Sequence, residues 1–151
     1  LITFVTHRRR RLFSSFNVNC TAARALTDPK NWCHARLCAW VLMPDHWHGL
    51  VELGDGIDLG KLVQELKANS ARKLRIEHPG IGRVWAEAFH DRALRCGDDL
   101  VVTARYLVMN PVRARLTRKI REYSFWDAIW VQEAVATRVA PTIPPTTDSA
   151  S

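Results

Sequence analysis

The segment Ala35–Leu53, ARLCAWVLMPDHWHGLVEL, decides how this chain folds. Ala35 to Met43 is apolar on both faces, the pattern of a central strand. Pro44-Asp45 suits a tight turn, because proline pre-sets φ at the first corner position. His46 to Leu53 reads as the returning strand, so the two halves form an antiparallel hairpin. Side chains alternate along a strand, so His46 and His48 share one face and Trp47 takes the other.

The rest of the chain is arranged around that hairpin. LITFVT (Leu1 to Thr6) alternates, is β-branched and reads as a strand. A basic run, His7 to Phe13, follows, and Asn17 to Leu26 reads as a short helix with Asn at its start. Asp28 to Trp32 is a loop. Beyond the hairpin and the loop GDGIDLG, Asp58 caps a helix through about Arg75. Its Leu59, Leu62, Val63 and Leu66 have helical spacing, and Lys61, Lys67, Arg72 and Lys73 lie largely elsewhere. After a break at His78 to Gly82, Val84 to Arg95 carries another strand. Asp98 to Asn110 is a helix with an acidic start, favourable to its dipole. The order β-α-β-β-α-β-α predicts an α+β sandwich, an antiparallel sheet with helices packed on one face.

The 151 residues fit one domain, residues 1–139, and a Pro/Thr-rich tail, residues 140–151, expected to be disordered. Apolar residues make up 47%, which is globular, yet no run approaches the roughly 18 needed to span a bilayer. No secretory segment stands near the start, and the opening at Leu1, inside an apolar run, leaves room for residues upstream. The net charge of +7 suggests a polyanionic partner, commonly nucleic acid, or else simply a basic surface. Cys20, Cys33, Cys38 and Cys96 include no C-x-x-C pair, so mostly buried, reduced thiols and a cytoplasmic location are expected.

Two imidazoles on one strand face can converge on a cation, with positions left open for substrate oxygens. Read alone, the pair fits equally two ordinary polar residues at a strand end. On the Asp98–Asn110 helical wheel, Leu100, Val101, Ala104, Leu107 and Val108 form the core face. Tyr106 falls roughly opposite them, with Thr103 and Asn110 on its side. Tyr106 is thus a candidate site residue, or an amphipathic tyrosine packed beneath a loop. Pro111 disfavours helical geometry at Asn110, so the helix ends or kinks there.

Taken together, MPDHWHGLVEL, FHDRALR (Phe89 to Arg95), ARYLVMNPVRARL (Ala104 to Leu116) and the opening ITFVTHRRRRLF resemble the REP-associated tyrosine transposases. These are domesticated relatives of the single-tyrosine HUH transposases of bacterial insertion sequences. The resemblance implies that His46, His48 and Asn110 bind a divalent metal, Mg²⁺ or Mn²⁺, and that Tyr106 is the nucleophile. It implies nicking and rejoining of single-stranded DNA at hairpins, through a 5′-phosphotyrosine intermediate, in a nucleoid-associated protein with no membrane partner. It implies a ferredoxin-like (RRM-like) sheet with flanking helices, which agrees with the element order, and it leaves monomer or homodimer open.

Within that reading, Arg8, Arg9, Arg10, Arg11, Lys67, Arg72, Lys73 and Arg113 track DNA phosphates, and exposed tryptophans stack on bases. Trp40 is assigned to the core, and Trp126 and Trp130, four apart, to a helix packing face. His90 and Asp91 assist the metal ligands from behind, or form a plain strand-end pair. Three rivals remain: a non-catalytic hairpin-binding module, a metal-dependent nuclease that uses water, and a small zinc protein, poorly supported by the cysteine spacing.

Overall fold

A computed structural model describes residues 1–95 and 99–131. The expected tail, the domain end at residue 139, Cys96 and Asp98 lie outside them.

The central hairpin forms over the expected residues, β2 (Ala35–Met43) and β3 (His46–Leu53), paired from Ala35↔Leu53 to Met43↔His46. β1 (Ile2–Val5) adds to the free side of β3, and the two-residue β4 (His90–Asp91) adds to β1. A short β5 (Trp126–Ala128) pairs with β2, which gives the antiparallel order β4-β1-β3-β2-β5. The predicted strand over Val84 to Arg95 is therefore mostly irregular; apart from β4, only Trp85 bridges to the sheet, at Thr6.

The helices are α1 (Phe16–Leu26), α2 (Leu59–Glu77), α3 (Leu100–Val108) and the single-turn α4 (Asn110–Arg113). Asp58 caps α2 by accepting from the Lys61 amide at 2.9 Å. Asp99 caps α3 by accepting from Val101 and Val102. Leu62, Val63, Leu66, Ala71 and Leu74 bury the inner stripe of α2 against the sheet face that carries Phe4, Leu42 and Trp47.

Helices were expected on one face, but they cover both. α1 and α2 lie over the Trp47 face, while Ala104, Leu107 and Val108 of α3 pack on Ala39, Val41, Met43 and Leu50 of the other. The reason lies in β2 itself. A strand apolar on both faces needs cover on both. The helix expected at Trp126 and Trp130 is corrected at Trp126. β2 also had an open edge, and Trp126 opens the strand that fills it, opposite Val41, whereas Trp130 lies in the helical residues 129–131.

One core contact is unusually close. Trp47 and Gly49 point to the same side of β3, and the indole lies over Gly49 so tightly that an added Cβ would sit 2.0 Å from a ring carbon. Trp47 is fully buried and stacks on Phe4 at 5.0 Å, with Trp85 edge-on to the same ring at 4.7 Å. Trp47 and Trp85 are buried, and the other four of the six tryptophans are only partly exposed. Among the thiols of the described residues, only Cys38 is buried; Cys20 is half-buried, Cys33 exposed, and all three are free. Among the described residues no helix is long and apolar enough to cross a membrane.

Candidate active site

The β1–β3 register sets Thr3 beside His48 and Val5 beside His46. The two imidazole rings stand 4.6 Å apart, centroid to centroid, nearly perpendicular. Each has its Nδ1 engaged. His46 Nδ1 lies 2.6 Å from the Asp45 carboxylate, and His48 Nδ1 lies 2.7 Å from the Thr3 hydroxyl. A carboxylate only accepts, so His46 Nδ1 is the donor, and in the neutral ring its Nε2 keeps a free lone pair. The ring nitrogen left over at His48 is likewise Nε2.

Burial pushes the His48 pKa down to about 4, helped by the charges of His46, Arg113 and Arg9. His48 is therefore neutral, the form a metal requires. Burial alone would raise the Asp45 carboxyl, but its hydrogen bond to His46 and the charges of His46 and Arg9 outweigh that and hold it below the usual range.

α3 crosses the same sheet face. Tyr106, Asn110, Thr103 and Leu107 line one side of a cleft of about 470 Å³ that reaches His48 on the sheet. Tyr106 is 66% exposed, so its phenol is open to a macromolecular substrate. The helix does break at Met109, as Pro111 predicts, and restarts as α4 with Pro111 buried in its first turn. Asn110 thus begins the new helix. Its Nδ2 donates to the Leu107 carbonyl at 2.7 Å, and its Oδ1 accepts from Arg113 Nη2 at 2.9 Å. Arg113 Nη1 donates to the Tyr106 carbonyl, and the guanidinium lies 3.8 Å over the Tyr106 ring.

The other tyrosine is committed elsewhere. Tyr123 Oη donates to the Leu42 carbonyl at 2.7 Å, and burial pushes its pKa up to about 12. Among the described residues no three His, Cys, Asp or Glu side chains are placed to hold a metal ion together, so a third protein donor beside the histidines would be of another type. Asn110 Oδ1 is such a donor. Two imidazole nitrogens and an amide oxygen make a set of intermediate softness that suits Mn²⁺ better than the harder Mg²⁺.

The expected supporting residues separate. His90 pairs with Thr3 from the β4 side and so shares the histidine face; strand alternation puts Asp91 on the opposite face. Arg72 and Lys73 lie on α2, which packs on the face away from the histidines, and Lys73 is paired with Glu77 at 3.1 Å. Lys67 spends its three donors on the carbonyls of Ala86, Glu87 and Ala88, and burial lowers its pKa. In this structure it holds a loop.

The Arg8–Arg11 turn lies nearer the site. Arg8 and Arg9 take the left-handed conformation, φ 55° and 54°, rare for residues with a Cβ and often found at functional sites. Thr6 fixes this turn by donating to the Arg10 and Asp45 carbonyls, and Arg9 pairs with Asp45 at 3.4 Å. Arg10 is tied to the Ile81 and Arg83 carbonyls. The side chains of Arg8 and Arg11 are exposed and form no hydrogen bond or ion pair among the described residues.

Sequence reasoning missed Thr3 and Asp45. Asp45 was legible, since an acid directly before the first histidine of an H-x-H strand can reach its Nδ1. Thr3 was not, because only the β1–β3 register brings it to His48.

Known proteins resemble this chain in sequence family and in fold. The family of IS200-like transposases matches residues 1–98, a span that holds both histidines and ends before Tyr106. A solved REP-associated tyrosine transposase bound to a REP hairpin superposes with a TM-score of 0.65 at 21% identity, over 99% of this chain and 87% of that one. A transposase-like protein from Deinococcus radiodurans R1 superposes at 0.52 and 16% identity, over 93% and 89%. No curated protein sequence matches. The α+β sheet expected from the motifs is the fold of these proteins, and the chain belongs to the IS200-like transposase family.

Proposed function

We propose that the chain is a metal-dependent single-stranded DNA endonuclease and strand transferase that acts at hairpin DNA, with Tyr106 as its nucleophile. The observation that carries this reading is the meeting of His48, Tyr106 and Asn110 on one cleft, beside a second imidazole with its Nδ1 already engaged. The hairpin bound to the REP-associated relative supports a folded hairpin as the DNA partner.

His46 Nε2, His48 Nε2 and Asn110 Oδ1 would hold the divalent cation, Mg²⁺ or Mn²⁺. When bound, it supplies Lewis acidity to a non-bridging oxygen of the scissile phosphate. Asp45 and Thr3 keep both rings turned toward it, as partners behind a metal ligand do. His90, exposed on the same sheet face, flanks the site at its edge. Arg8, Arg9, Arg11 and Arg113 meet the backbone charge.

Tyr106 Oη attacks phosphorus in line. The P–Oη bond forms, the P–O3′ bond breaks, and the phenol proton ends on the departing 3′ oxygen. The 5′-phosphotyrosine conserves the phosphodiester energy, so a 3′-hydroxyl can reverse the step without water or a nucleotide cofactor.

The test incubates the protein with a single-stranded DNA hairpin and Mn²⁺ and resolves the products on a denaturing gel. A covalent protein–DNA band that disappears in Tyr106→Phe and in His46→Ala is expected. Free cleaved DNA from wild type and Tyr106→Phe alike would indicate water as nucleophile and overturn the reading. Retention of the hairpin with no cleavage would leave only a binding module.

A further inference from the structure

The oxygen that Asn110 would offer a metal is already bonded to a cation. Arg113 Nη2 donates to Asn110 Oδ1 at 2.9 Å, Nη1 donates to the Tyr106 carbonyl at 2.7 Å, and the guanidinium plane covers the Tyr106 ring at 3.8 Å. One side chain therefore holds the third donor and the nucleophile's helix together. The charge also reaches the sheet, since Arg113 is among the charges felt at His48.

We propose that Arg113 is a positioning residue that stands in for the divalent cation at Asn110 Oδ1, and that DNA phosphate draws it away so that metal and DNA bind cooperatively. The inference rests on reading His46, His48 and Asn110 as the metal site.

The argument is electrostatic. An amide oxygen has two lone pairs and can accept a hydrogen bond while ligating a metal. A guanidinium and a dication on one oxygen nevertheless repel each other at such short range, even where water screens part of the charge. Without DNA, Arg113 therefore opposes the metal. A backbone phosphate offers the same fork a better acceptor, because a charged, two-pronged pair is stronger than a bond to a neutral amide. Each phosphate contact that removes the guanidinium from Asn110 lowers the cost of the metal. By linkage, the metal tightens DNA to the same degree. The residue is exposed and its segment turns back at Arg115, which takes φ 58° just after α4, so the side chain has room to move.

The experiment titrates Mn²⁺ into the metal-free chain, with free Mn²⁺ read by electron paramagnetic resonance, with and without oligothymidine. Wild type, Arg113→Gln, Arg113→Lys and His46→Ala are compared. Arg113→Gln keeps an amide donor and loses the charge; without DNA it should bind Mn²⁺ about tenfold more tightly than wild type, within the range by which neighbours of metal ligands act. Arg113→Lys keeps the charge and should stay near wild type. Oligothymidine should tighten Mn²⁺ in wild type and do so much less in Arg113→Gln.

A merely structural role for Arg113 would weaken Mn²⁺ binding or leave it unchanged in Arg113→Gln, and either result overturns the proposal. So does an undiminished DNA effect in that variant. If His46→Ala binds Mn²⁺ as wild type does, the failure belongs to the metal site itself and not to Arg113.

Discussion

Thr3 Oγ1 and His48 Nδ1 lie 2.7 Å apart across the β1–β3 ladder, on the sheet face crossed by the tyrosine helix. A hydroxyl in that position can accept the Nδ1 proton, the tautomer that leaves Nε2 free to ligate a metal. Thr3→Val keeps the shape and removes the partner. Partners behind a metal ligand are typically worth about 10- to 100-fold in metal affinity. Mn²⁺ affinity measured calorimetrically should fall by that much, and an unchanged affinity would remove Thr3 from the site.

The two tyrosines should separate cleanly. Tyr106→Phe removes an exposed hydroxyl, so the melting temperature should hold while the covalent DNA band vanishes. Tyr123→Phe removes the bond to the Leu42 carbonyl and should cost about 1 kcal/mol, with the band retained. Folded Tyr123 keeps its proton up to a pH of about 12, against about 10 unfolded. Its stabilisation is complete below pH 10 and drains away between 10 and 12. Denaturation followed over that range should show a slope in wild type that flattens in Tyr123→Phe.

His48 titrates with the opposite sign. Its ring takes a proton near pH 6.5 when unfolded and near 4 when folded. Between those values the unfolded chain binds more protons, so stability falls as acid is added. At about 1.4 kcal/mol per unit, the loss approaches about 3 kcal/mol by pH 4 and grows no further from this group. Urea midpoints from pH 7 to 4 should fall less steeply in His48→Asn. Chemical shifts that show His48 charged at pH 5.5 would contradict the burial argument.

The hairpin could be read from the chain because its cues are local. Proline fixes a turn, alternation fixes a face, and β2 and β3 begin and end where the letters say. Tyr106 was legible for the same reason, as an aromatic off the apolar stripe of one helix. What could not be read depends on contacts distant in sequence. Nothing near Lys67 announces that three carbonyls some twenty residues later will take its charge. Nothing near Trp126 announces that a sheet edge awaits it. The Arg113–Asn110 contact was closer to hand, at i and i+3, but Pro111 stands between them and hides whether the helix restarts.

Gly49 is a packing requirement. The Trp47 indole occupies the space a Cβ would need, at 2.0 Å, and Trp47 is fully buried. Gly49→Ala must move the indole off Phe4 or bend β3, the strand that carries both histidines. Forcing a methyl group into a filled core costs about 1–3 kcal/mol, and this contact lies at the upper end. Chemical denaturation measures it. Stability within about 0.5 kcal/mol of wild type would mean that the ring has somewhere else to go.

The basic residues should divide by whether their donors are free. Arg8 and Arg11 project from a strained turn beside Asp45 and make no hydrogen bond or ion pair among the described residues. Each phosphate contact they make to a single strand should add about 0.7 to the slope of log affinity against log salt. Arg8→Ala and Arg11→Ala should each reduce that slope by up to this amount and leave the fold intact. Lys67 is the contrary case. Its ammonium donates to Ala86, Glu87 and Ala88 within 3.0 Å and lies 5.7 Å from the Phe4 ring. Lys67→Met should therefore cost about 1–3 kcal/mol of stability, through the carbonyls left unpaired, with no change in the salt slope. Fluorescence anisotropy of a labelled oligonucleotide from 50 to 300 mM salt gives the slopes, and urea denaturation gives the stabilities. If Lys67→Met flattens the slope as the arginine variants do, its three carbonyl bonds are released when DNA binds, and the loop it holds is part of the DNA interface.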